Sequence, residues 1–68
     1  MAIPIVVNGE DRTVSEGQTI LGLLRELEVD PERVAVEMDR LIVKQAKWEG
    51  TTLAAGSKLE IVQFVGGG

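Results

Sequence analysis

The sequence predicts an α+β domain in which one main helix packs on one face of a mixed sheet of four to five strands. Three observations carry that expectation. An Asn-Gly turn separates two short strand-like runs near the start, a single leucine stripe at helical spacing follows, and alternating apolar runs come after it.

Ile3-Pro4-Ile5-Val6-Val7 reads as a strand with Ile3, Ile5 and Val7 on one face, and Pro4 restricts it to a strand start or a sheet edge. Asn and Gly accept the positive φ of hairpin turns. Asn8-Gly9-Glu10-Asp11 therefore folds the chain back into a second strand, Arg12 to Val14. Thr19 stands where an N-cap should, just before Ile20, Leu23, Leu24 and Leu27, whose spacings of three and four form one helical stripe. The helix should end near Val29, because Pro31 disfavours helical geometry at Asp30. Asp30-Pro31-Glu32-Arg33 fits one isolated turn, with Asp30 as cap and Pro31 at the first helical position.

Val34, Val36 and Met38 alternate with Ala35, Glu37 and Asp39, as in a strand with one buried face, and Leu41-Ile42-Val43 follows as a short strand. Lys44 to Gly56 reads as irregular chain crossing back over the core, with Trp48 as its bulky core residue. Lys58 to Gln63 is a last strand, with Leu59 and Ile61 on one side and Glu60 and Val62 on the other. The right-handed crossover rule brings this strand parallel to the first, in the middle of the sheet, which is a β-grasp. Residues 1–65 then form the β-grasp domain, and 66–68 a flexible glycine tail.

The chain has 68 residues, enough for a single small core. It contains no Cys, His or Tyr, which removes the usual zinc and iron–sulfur ligands and the commonest acid–base groups. A resident metal, a bound cofactor and an enzymatic activity are accordingly not expected. The formal charge of −4 repels phosphate backbones and anionic lipid, so neither nucleic acid nor membrane is an expected partner. Met1 to Val7, the longest apolar run, falls far short of the roughly 20 residues that span a bilayer, and no basic segment precedes it. The expected location is the cytoplasm.

The chemistry concentrates at the end, Phe64-Val65-Gly66-Gly67-Gly68. Three extended glycines reach roughly 10 Å, enough to thread a channel that a branched residue would block. Free glycines are costly to order, so such a tail stays mobile until a partner holds it. A terminal carboxylate is ionised at neutral pH and is a poor electrophile. Adenylation by ATP makes it a mixed anhydride, from which sulfur gives a thiocarboxylate and an amine gives an amide. Gly-rich ends also occur as plain filler, but here the glycines follow a strand directly and end a β-grasp.

The chain resembles the ThiS family of sulfur carriers from thiamin biosynthesis, within the ubiquitin-like β-grasp superfamily. The likeness is carried by Ile5-Val6-Val7-Asn8-Gly9-Glu10, Glu16-Gly17-Gln18-Thr19-Ile20 with Leu23-Leu24, Pro31-Glu32-Arg33-Val34-Ala35-Val36-Glu37, and Leu59-Glu60-Ile61-Val62 running into the Phe64 to Gly68 ending. The resemblance implies that a ThiF-like adenylating enzyme, consuming ATP, forms an acyl adenylate on Gly68. A persulfide from a donor such as a cysteine desulfurase then yields a thiocarboxylate whose sulfur goes to thiazole synthase. Asp39-Arg40 lies where many members carry an Asn-Gly-like turn, and Lys44 where Pro is frequent.

Gly66 and Gly67 are the residues expected to thread a partner's active site, with Val65 leading into them. Phe64, Val65, Val62 and Val6 are the expected partner-binding residues, Phe64, Val62 and Val6 as a docking patch in which Val6 lies beside the other two if the first and last strands pair. Glu26, Glu28, Asp30 and Glu32 read as a solvated acidic face available to a basic patch on the activating enzyme. Two other functions share the same fold and ending: the small subunit of molybdopterin synthase, and a ubiquitin-like modifier that forms isopeptide bonds.

Overall fold

A computed structural model describes residues 1–64, and its five-stranded sheet has the order β2-β1-β5-β3-β4. The strands are β1 (Ala2–Val7), β2 (Glu10–Ser15), β3 (Val34–Met38), β4 (Leu41–Val43) and β5 (Lys58–Gln63). A helix, α1 (Ile20–Glu26), lies between β2 and β3 in sequence, and short 3-10 turns occupy Pro31–Arg33 and Gln45–Lys47. The pairing of β1 with β5 is parallel and the other three pairings are antiparallel, which makes the sheet mixed, as expected of a β-grasp.

The first hairpin is tighter than the sequence suggested. Val7 pairs with Glu10, so the loop is Asn8 and Gly9 alone, at φ 50 and 80. Two positive φ values give the turn whose twist matches the flanking strands, and β2 therefore begins two residues before Arg12.

Thr19 caps α1 as its position predicts: its Oγ1 accepts from the Gly22 N–H at 3.1 Å. The neighbouring first-turn amides are taken up by the crossing segment, Ile20 by the Thr51 carbonyl at 3.1 Å and Leu21 by that of Trp48 at 3.2 Å. The other end differs from expectation. The helix stops at Glu26, not near Val29, because Glu28 turns left-handed at φ 59. Val29 N–H then donates to the Leu24 carbonyl and Glu28 N–H to that of Arg25, the paired bonds of a Schellman stop. Pro31 plays no part in that ending. It opens the following 3-10 turn, which Asp30 caps through the Glu32 N–H at 2.9 Å.

The core lies between α1 and one face of the sheet. Ile5, Val7 and Val14 from the first hairpin, Val34 and Val36 from β3, and Leu59 from β5 meet Ile20, Leu23 and Leu24 of the helix. Trp48 and Leu53 of the crossing segment complete it. The Trp48 indole N–H donates to the Val43 carbonyl at 2.8 Å, so the ring is buried with its polar atom satisfied. No helix among the described residues is long and apolar enough to cross a membrane.

Glu28 holds a backbone conformation that glycine adopts without steric cost. Glu28→Gly should raise unfolding stability by roughly 0.5 to 1 kcal/mol in urea titration. A loss of stability would show that the Glu28 side chain contributes more than its backbone geometry costs.

Candidate functional site

The site is built on β5, the strand that leads to the glycines. Its neighbours differ in how far they accompany it. Against β1 the register is Val6↔Lys58 and Val7↔Leu59, with Val6 N–H to the Ser57 carbonyl at 2.9 Å and Asn8 N–H to that of Leu59 at 2.8 Å. There β1 turns away. Against β3 the pairing runs from Met38↔Leu59 to Val34↔Gln63, and Phe64 N–H still donates to the Arg33 carbonyl at 2.7 Å.

Alternation along β5 turns Leu59 and Ile61 toward the helix and Lys58, Glu60 and Val62 toward the open face. Phe64 stays in the ladder and by the same alternation shares the open face with Val62. Val62 is 59% exposed and Phe64 58%, so the last two apolar residues before Val65 stand uncovered at the strand exit. Val65, Gly66, Gly67 and Gly68 lie outside the described residues.

Val6 is on this face but not in this patch. It is half-buried and in register with Lys58, four residues before Val62, which is about 13 Å along a strand. Lys58 and Glu60 occupy the interval, and Glu37 lies across from Glu60 on β3. The sequence placed Val6 beside Val62 and Phe64 on the strength of strand pairing alone. The parallel pairing exists, but its stagger carries β5 past the end of β1.

The open face therefore carries a charged band, Glu37, Asp39, Arg40, Lys58 and Glu60, of which Glu60 and Glu37 lie between the level of Val6 and the exit while Asp39 and Arg40 flank the start of β5. Ile42, 78% exposed and opposite Glu37, adds an apolar residue on the far side of that band. Sequence reading missed it, because a three-residue apolar run does not reveal which face an edge strand leaves uncovered. The Asn8-Gly9 signature likewise marks only a turn in the sequence. The Asn8 side chain also reaches β5, where Oδ1 accepts from Ile61 N–H at 2.7 Å and Nδ2 donates to the Ile61 carbonyl at 3.2 Å.

The four acidic residues near the helix end are exposed, and three of them are locally engaged. Glu26 accepts from Gln18, Glu32 from Gln45, and Asp30 pairs with Arg33 at 3.7 Å. Nothing couples them into an acid–base pair. Among the described residues no group of three or more metal-ligating side chains comes together.

One helix on a mixed five-stranded sheet, with β5 at its centre and an exposed apolar exit at Val62 and Phe64, defines a β-grasp domain. The chain belongs to the ThiS family: the family's model matches residues 5–68. The crystal structure of a thiamine biosynthesis protein (ThiS) from Geobacter metallireducens is similar, with TM-score 0.83 and 32% identity, over 97% of this chain and all of that one. A protein called thiazole synthase from Paramagnetospirillum magneticum is 45% identical over 64 residues, and one of the same name from Magnetococcus marinus is 38% identical over 64. This chain spans 94% of its own length in each match but only 20% of the length of those relatives. The uncharacterized protein ycf40 of Pyropia yezoensis is 36% identical over 97% of this chain and 93% of its own.

The two faces of β5 predict opposite responses to truncation. Leu59→Ala, at a position 1% exposed, should cost about 3 kcal/mol in chemical denaturation. Phe64→Ala should change stability by no more than about 0.5 kcal/mol. Equal losses would contradict the assignment of faces.

Proposed function

We propose that this chain is a sulfur carrier of thiamin biosynthesis, a protein cosubstrate on which other enzymes act. The observation that carries the reading is the ThiS family match, which continues through the glycine ending to residue 68 on a fold whose central strand leads there. Resemblance to the Geobacter ThiS structure over its full length supports it.

In this reading a carboxylate oxygen of Gly68 attacks the α-phosphorus of ATP on a ThiF-like enzyme, and pyrophosphate leaves. The terminal sulfur of a persulfide, such as that of a cysteine desulfurase, attacks the acyl carbon and AMP leaves. A second thiol then cleaves the S–S bond, forming a disulfide and releasing the thiocarboxylate. No side chain of the carrier takes part. Its contribution is a tail without Cβ atoms at Gly66, Gly67 and Gly68, led by Phe64 and Val65, that fits a narrow channel. Persulfide and thiol chemistry with ATP suits a reducing cytoplasm.

The acceptor proposed for the sulfur is a thiazole synthase. Support comes from the two relatives of that name, in which a stretch like this chain is part of the same polypeptide.

Incubation with ATP, a ThiF-like enzyme and a persulfide donor, followed by intact-mass measurement, tests the reading. The expected product carries sulfur in place of one oxygen, and deletion of Gly68 should abolish it. A conjugate to another protein would instead identify a modifier, and an unchanged mass with a competent enzyme would overturn the proposal. Phe64→Ala should slow adenylation while leaving the fold intact, and unchanged kinetics would remove Phe64 from the interface.

A further inference from the structure

We propose that Asn8 is a positioning residue for the chain end: its carboxamide stands in for one further residue of β1 and holds β5 in line beyond the point where β1 turns away. This role rests on the carrier reading above.

In a parallel ladder alternate residues of β5 present both N–H and C=O to β1. Leu59 finds its partner in the Asn8 backbone N–H. The next such residue is Ile61, and no strand backbone faces it there, because Asn8 and Gly9 have turned the chain toward β2. The Asn8 carboxamide supplies what the absent peptide would: an acceptor for Ile61 N–H at 2.7 Å and a donor to its carbonyl at 3.2 Å. An amide side chain has the donor and acceptor of a peptide group in one plane, and so can grip both groups of a single residue.

The residue type discriminates. Glycine would satisfy φ 50 at position 8 and leave Ile61 without either bond. Aspartate would keep the acceptor but set an oxygen against the Ile61 carbonyl. A related device works at the opposite end of β5, where Asp39 Oδ1 accepts from Lys58 N–H at 3.0 Å; that site needs only an acceptor, and the residue is an acid.

Ile61 stands seven residues before Gly68. Beyond it β5 is held on the β3 side by the Phe64 bond to Arg33, and on the β1 side Asn8 provides the last grip among the described residues. Without the carboxamide the strand exit is anchored along one edge only. It then presents Phe64 and the glycines over a wider range of directions, all but one of which the activating enzyme must select against.

The test uses the full chain with Asn8→Gly and Asn8→Asp, a ThiF-like adenylating enzyme, and ATP–pyrophosphate exchange, at a temperature where all variants are folded. Asn8→Gly should raise KM for the carrier about fivefold, the loss expected from one or two modest hydrogen bonds, with kcat within about twofold. Asn8→Asp should fall between it and the parent. Amide hydrogen exchange at Ile61 should accelerate in Asn8→Gly and stay closer to the parent in Asn8→Asp, which keeps the acceptor. Ile20→Val, a core change remote from β5's exit, should lower stability without moving KM. The role is overturned if Ile61 exchange is unchanged in Asn8→Gly, if KM stays within twofold of the parent despite faster exchange, or if Ile20→Val raises KM as much. A parent chain that supports no pyrophosphate exchange would overturn the carrier reading itself, and this role with it, whatever Ile61 exchange shows.

Discussion

The parallel pairing of β5 with β1 is the constraint on which the rest of this small domain depends. It joins the last strand to the first, across more than fifty residues, and so closes the sheet around its centre. Two antiparallel hairpins, β1-β2 and β3-β4, are local structures that would not be stable singly. Inserted between them, β5 turns two ribbons into one sheet wide enough to bury Leu59 and half-bury Ile61 under α1, and it makes the strand before the glycines the central one of the sheet. The strand exit at Gln63 and Phe64 thereby lies in the middle of the sheet rather than at a fraying edge.

Because the β1 and β3 partners are staggered, β5 outruns β1, and side chains have to finish the ladder. Asn8 does so at Ile61 and Asp39 at Lys58, each the first residue of a two-residue hairpin turn and each at positive φ, 50 and 51. Left-handed backbone at a residue with a side chain costs roughly 1 kcal/mol, least for Asn and Asp. The same residue thus sets the turn and supplies the missing polar partner to the central strand. A glycine would serve the turn only.

Much of the fold could be read from local chemistry. Asn8-Gly9 announced its hairpin, Thr19 its helix start, Asp30-Pro31 its isolated turn, and the alternation from Lys58 to Gln63 its strand, each matching the observed element closely. What escaped reading depends on tertiary context. Nothing about Glu28 marks it as a left-handed stop, because the bonds that fix it there come with the packing of Val29 near Leu24 in the core. Asp39-Arg40 likewise turns at φ 51 and 71 without a glycine, because the pairing of β3 with both β4 and β5 dictates the turn. At the site, Phe64 and Val62 were legible from strand parity. The displacement of Val6 was not, since parity gives the face of a residue and says nothing of its stagger against a neighbouring strand.

The folded part fixes an apolar exit, Val62 and Phe64; in the proposed function the glycines beyond it carry the carboxylate that a partner activates. The most direct test is made in cells that lack their own carrier and need thiazole to grow. The chain ending at Gly68 should restore growth without added thiazole, and the same chain shortened by its final glycine should not. Restored growth from the shortened chain would contradict the account.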